Sequence, residues 1–181
     1  MRKLKLIMMI LIILIILLII LAIAGYYILK YLYPQDYKEY VEKYSKMYGV
    51  EEELVYAMIK EESNFDKDAN SHKSAIGLMQ LVQDTADEVG LELGIENVDL
   101  RDPETNIQIG TKYLSDLIEK YDGNIKFAIV AYNAGFGNVD KWIDSSVLNE
   151  DGSNMENVPF KETNMYLRKV LRTYELYKNL Y

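Results

Sequence analysis

Glu62-Ser63-Asn64-Phe65, Ala69-Asn70-Ser71, Ala75-Ile76-Gly77-Leu78-Met79-Gln80 and Thr85-Ala86 fall within one stretch of 25 residues, and their reading decides the fold. Just upstream, residues 51–63 carry Leu54, Val55, Met58 and Ile59 at helical spacing, which makes one apolar stripe. Glu62 continues that stripe. It follows Ile59 by three residues, Met58 by four and Val55 by seven, so at ~100° per residue it lies within roughly 10° of the stripe's centre. Glu61 falls about 90° away on the same wheel. A carboxyl on a core-facing stripe is desolvated, which disfavours the charged form, raises its pKa and leaves a proton to donate near neutral pH. The same periodicity also allows a frayed helix end with Glu62 turned to solvent, and at this level both readings stand.

Outward from this stretch, composition narrows the field. The first 30 residues hold four basic and no acidic side chains; of the chain's 20 basic and 28 acidic residues the remainder keeps 16 and 28, a charge of −12. Such a domain repels nucleic acid, so no nucleic-acid partner is expected. With no cysteine there are no disulfides, thiol nucleophiles or cysteine-ligated metals. A single histidine, His72, gives neither a metal cluster nor a catalytic triad, so neither metal nor cofactor is expected; His72 reads as a solvated loop residue.

The chain opens with Arg2, Lys3 and Lys5, followed by an uncharged run over 6–29 dominated by Leu and Ile. As a helix that run rises about 36 Å, enough to cross a hydrocarbon core of ~30 Å with some tilt. Basic residues ahead of it, with Asp36 and Glu39 soon after, favour a cytoplasmic tail at 1–5, a single span at 6–29 and a domain on the extracytoplasmic side. Tyr26, Tyr27, Tyr31 and Tyr33 form a candidate interfacial belt. Ala22-Ile23-Ala24 has the small-x-small form of a signal cleavage site, but the run is longer than a usual signal core, so an anchor is the preferred reading.

After a short linker at 30–36, the sequence predicts a mainly α single domain over 37–181, with no alternation strong enough for a sheet. Helices are expected over 37–47, stopped near Gly49; over 51–63; over 78–89, terminated by Gly90; from Asp102-Pro103 through Leu117; over 125–132; and over 163–179. Residues 139–143 add a further turn, Asp122-Gly123-Asn124 is a turn, and 144–157 read as a loop and a candidate lid.

The quoted stretch resembles the Slt-type lytic transglycosylases, whose lysozyme-like domain carries E-S-x-F, A-x-S, A-x-G-L-M-Q and T-A at these spacings. The resemblance continues in Asp102-Pro103-Glu104-Thr105-Asn106-Ile107, in Ala131-Tyr132-Asn133-Ala134-Gly135, in Gly137-Asn138-Val139 with Lys141-Trp142, and in Pro159-Phe160-Lys161-Glu162-Thr163 with Tyr166. Lys67 and Gln83 stand where that family usually has proline, Ser74 where it usually has glycine, and Phe136 where proline is common. These are loop and helix-start positions, and none is a residue assigned to chemistry.

The resemblance implies cleavage of the β-1,4 bond between MurNAc and GlcNAc in peptidoglycan glycan strands. Glu62 would act as acid, then as base for the sugar's own C6 hydroxyl, giving a 1,6-anhydromuramyl end without water. It implies that Ser71 positions the N-acetyl group, that Gln80 and Asn133 supply cleft amides, that Met79 and Tyr132 form cleft walls, and that Tyr166 lies near the acid. Read without the resemblance, Met79 and Tyr132 are as easily core, and Asn133 a helix end. Ser63 and Phe65 read as local capping and packing, and Trp142 as core. Glu162 is a second carboxylate, supporting by resemblance. At ~5 to 9 Å from Glu62 it would permit two-carboxylate hydrolysis. A hydrolytic muramidase and a catalytically silent wall-binding or assembly module are the competing readings. Envelope or secretion machinery is a conceivable partner, but no recruitment motif is visible.

Overall fold

The structure is a computed structural model and describes residues 2–181. It divides into two units, one made essentially of residues up to Pro34 and one of residues 35–179. In the first unit a single helix, α1 (Arg2–Leu32), takes in the expected 6–29 span. It is long and apolar enough to cross a membrane, and its large apolar side chains are exposed along its length. Pro34, two residues beyond its end, has no N–H with which to continue it.

The second unit is mainly α, with no strand among the described residues and only two isolated bridges, Asn70 with Ile76 and Ile76 with Leu81. Its helices are α2 (Lys38–Tyr48), α3 (Glu52–Ser63), α4 (Gln83–Leu93), α5 (Pro103–Lys120), α6 (Ile125–Ala134), α7 (Phe136–Asp144) and α8 (Lys161–Leu180). Helix α5 packs against α2, α4 and α6. It starts as its residues dictate: the Asp102 carboxylate accepts from Thr105 N–H at 2.9 Å, and Pro103 fills the first helical position.

Helix α3 is more enclosed than a single stripe implies. All six residues from Leu54 to Ile59 are buried, Tyr56 stacks on Tyr177 at 5.4 Å, and the helix runs through the core. Each fully buried aliphatic side chain there contributes about 1.5–3 kcal/mol of transfer free energy. The helix ends where Asn64 and Phe65 both turn left-handed, with φ 52 and 66. Ser63 Oγ donates to Ile59 O, while Phe65 is buried beside Tyr56.

Three expectations are corrected. The helix placed over 78–89 begins at Gln83 and ends at Leu93. Ile76 and Leu81 exchange both backbone hydrogen bonds, at 2.9 and 3.1 Å, and Gln80 is left-handed, so the chain cannot turn helical before Val82. Gly90 lies inside that helix because a Cβ there would meet the Val98 side chain; Gly94, at φ 69, makes the cap. The turn at 139–143 is a nine-residue helix, α7. Finally, residues 144–157 are pinned by buried Leu148 and Met155, and none of them lines the cleft described below, so the segment is no lid over it.

Candidate active site

A hairpin-like loop between α3 and α4 builds one wall of a cleft. Gly77 N–H donates to Ala69 O at 2.9 Å, and Ser71 N–H to Ala75 O at 2.9 Å. Gly77 is left-handed at φ 79, and a Cβ on it would collide with Leu100 O and the Asn106 amide, so glycine is required twice over. Asn106, fully buried on α5, clamps this loop. Its Nδ2 donates to Ile76 O and Leu100 O at 3.0 and 2.9 Å, and its Oδ1 accepts from Met79 N–H at 2.8 Å. One side chain thereby satisfies three backbone groups, two of them buried.

The cleft encloses about 320 Å³ and is lined by Glu62, Ser71, His72, Lys73, Ala75, Gln80, Val82, Tyr132, Asn133 and Glu162. Ser71 Oγ accepts the N–H of Lys73 and of Ala75, at 3.2 and 3.1 Å, which leaves its own proton to donate. Gln80 Nε2 donates to Gly77 O and Ala69 O, so its amide oxygen is left to accept. Tyr132 presents a wall of the cleft while its hydroxyl donates to Met79 O at 2.9 Å. Asn133 Oδ1 accepts from Thr163 Oγ at 2.8 Å, which fixes the amide's orientation and leaves its NH₂ to donate.

Glu62 stands at the end of α3 on the edge of this cleft. Desolvation pushes its carboxyl up to about 7; the Tyr166 hydrogen bond opposes that rise, and the nearby Glu61 charge adds slightly to it. Tyr166 donates to Glu62 Oε1 at 2.5 Å and also lies 3.4 Å from Met58 Sδ. Burial holds the Tyr166 hydroxyl well above its ordinary value, so it remains a donor throughout the neutral range. Glu61 points elsewhere, accepting from Thr173 Oγ at 2.6 Å.

Of the residues singled out in the sequence, Glu62, Ser71, Gln80, Tyr132, Asn133 and Glu162 line the cleft, and Tyr166 reaches it through Glu62. Met79 does not. Its side chain is fully buried and fills the space left by Gly110, where a Cβ would strike it, so it belongs to the core beneath the cleft. Glu162 is largely exposed, and its carboxylate faces Lys73 Nζ at 3.5 Å.

Sequence reasoning assigned no role to Asn106, Thr163 or Lys73. Asn106 did leave a signal: a poor helix former beside Ile107, on the buried side of α5, competes with the helix unless its amide has work outside it. Thr163 and Lys73 left none, because their partners are 30 and 89 residues away.

Comparison with known proteins gives a consistent set of relatives. Residues 39–153 match the family model described as the transglycosylase SLT domain. Over 150 residues the chain is 33% identical to the soluble lytic murein transglycosylase of Salmonella typhimurium, covering 80% of this chain and 23% of that one. It is 34% identical over 168 residues to the membrane-bound lytic murein transglycosylase C of Edwardsiella ictaluri, covering 80% and 47% respectively. The crystal structure of the 70 kDa soluble lytic transglycosylase from Escherichia coli matches with a TM-score of 0.77 at 30% identity, over 83% of this chain and 25% of that one. The second unit thus has the lysozyme-like fold of that protein. The chain spans roughly a quarter to a half of the length of these relatives.

Proposed function

Because the chain belongs to the transglycosylase SLT domain family, we propose that it is a peptidoglycan lytic transglycosylase whose acid is Glu62. The observation that carries this reading is a carboxyl raised to about 7, bonded by Tyr166 and open to a cleft of sugar size. Glu62 gives its proton to the glycosidic oxygen as the bond from the muramyl C1 breaks. The muramyl C6 hydroxyl then attacks C1, and its proton passes to the Glu62 carboxylate. The acid is regenerated, no water enters, and the product end is 1,6-anhydromuramyl.

Ser71 and the Asn133 amide serve as donors to the N-acetyl group and sugar oxygens, and the Gln80 carbonyl as an acceptor. Tyr132 supplies an apolar face for a sugar ring. Tyr166 restrains the Glu62 carboxyl and steadies its charged form between the two steps. Glu162, exposed and paired with Lys73, supports the cleft wall.

The further organisation is part of the same proposal. Residues 6–29 anchor the chain in a lipid bilayer by a single span, residues 1–5 stay cytoplasmic, 30–36 form a linker, and 37–181 form the catalytic domain on the extracytoplasmic side. The support is the exposed apolar length of α1, the basic residues ahead of it and the likeness to a membrane-bound relative.

The test is mass spectrometry of fragments released from purified peptidoglycan by the full chain in detergent, with Glu62→Gln in parallel. Anhydro-ended fragments that vanish in the variant support the proposal. Reducing-ended fragments would identify water as the nucleophile and turn the reading to a muramidase, with Glu162 the next residue to substitute.

A further inference from the structure

The mouth of the cleft holds an ion pair that the proposed chemistry does not use. Lys73 comes from the loop between α3 and α4, Glu162 from the first turn of α8, and Nζ and Oε2 stand 3.5 Å apart across a cavity that both residues line. Both side chains are largely exposed, at 80% and 74%, so the pair is weakly held and opens easily. The base of Lys73 is not loose. Its N–H is bonded to Ser71 Oγ at 3.2 Å, Ser74 N–H to Ser71 O at 3.0 Å, and Ser74 closes the turn in a left-handed conformation at φ 61.

Charge gives this arrangement a purpose. The residues after the first 30 carry −12, and among the described residues Lys73 is the only lysine or arginine lining the cleft. A peptidoglycan strand is itself an anion, with carboxylates on its peptide stems or, where stems are missing, on the lactyl group of each muramyl residue. An acidic domain that must hold an anionic polymer needs a cation where the polymer lies.

Resting on the transglycosylase reading, we propose that Lys73 is a specificity residue for charged strands: on binding it leaves Glu162 and takes a carboxylate of the strand. Glu162 then acts as the resting partner that keeps the lysine aimed across the mouth, and substrate and Glu162 compete for one ammonium group.

The experiment measures kcat/KM for release of anhydro-ended fragments by the full chain in detergent. Three strand preparations are used: stem-bearing strands, the same strands with carboxylates converted to carboxamides, and strands stripped of stems by an amidase. Lys73→Gln is expected to lower kcat/KM roughly five- to tenfold on stem-bearing strands at low salt, and less than about twofold on neutralised strands. Lys73→Arg should restore most of the loss. A loss on stripped strands too places the contact on the lactyl carboxylate; its absence there places it on the stem. Equal losses on charged and neutralised strands would overturn the inference. So would full recovery in Lys73→Gln/Glu162→Gln relative to Glu162→Gln alone, since Lys73 would then only screen Glu162. If the unsubstituted chain releases no anhydro ends from any preparation, the transglycosylase reading itself fails.

Discussion

Two carboxylates stand side by side at the end of α3, and each accepts a hydroxyl from α8: Thr173 binds Glu61 at 2.6 Å and Tyr166 binds Glu62 at 2.5 Å. The hydrogen bonds are nearly the same; the surroundings are not. Glu62 is desolvated beside a cleft, and burial outweighs the bond that favours its anion. Glu61 is not among the residues lining that cleft. The hydroxyl donor therefore does not raise the Glu62 pKa; low solvation does.

The largest expected effect tests that contrast directly. Glu62→Gln should cut the rate of anhydro-end release about 10²–10⁴-fold. It should also stabilise the fold at high pH. Because the folded pKa lies above 4.5, the carboxyl's contribution is intact below pH 4.5, falls as pH rises and is fully lost above about 7. Urea melts at pH 8 should show the variant more stable by on the order of 2–3 kcal/mol, with the gap closing towards pH 4.5. A variant less stable than its parent at pH 8 would show that Glu62 is not strained by burial.

Tyr166→Phe comes next. Losing this donor should lower kcat roughly 10- to 100-fold, because the carboxylate formed between the two steps loses its partner. In the parent, kcat/KM should fall above about pH 7 as Glu62 loses its proton. Removing a bond that lowers the pKa should move that limb to higher pH; a shift to lower pH would contradict the assigned roles.

At the other carboxylate the effects should be structural. Thr173→Val leaves Glu61 without its donor and should lower stability by about 1 kcal/mol, with activity within about threefold. Smallest of all, Glu61→Gln should keep activity within about twofold and move the alkaline limb slightly down, since Glu61 raises the pKa of its neighbour. Complete loss of activity here would reverse the comparison.

Much of this contrast is legible in the sequence. The apolar spacing of Leu54, Val55, Met58 and Ile59 separated Glu62 from Glu61, because helical phase is local information. Whether Glu62 faced solvent was not legible, because the group that covers it, Tyr166, is 104 residues away. The same limit explains the other misses. Gly90 reads as a helix stop until Val98 is known to need its missing Cβ, and Met79 reads as a cleft wall until Gly110 is seen to make room for it. Leu148 and Met155 are sparse apolar residues in a polar segment, too few to reveal an anchored loop.

The distance in sequence between Glu62 and Tyr166 also sets a schedule. A chain made from its N-terminus presents α3 long before α8 exists, and contacts of such separation form late. Until α8 docks, Glu62 lacks its hydroxyl donor. On the transglycosylase reading, the catalytic acid is therefore complete only once the 20-residue helix α8 is in place.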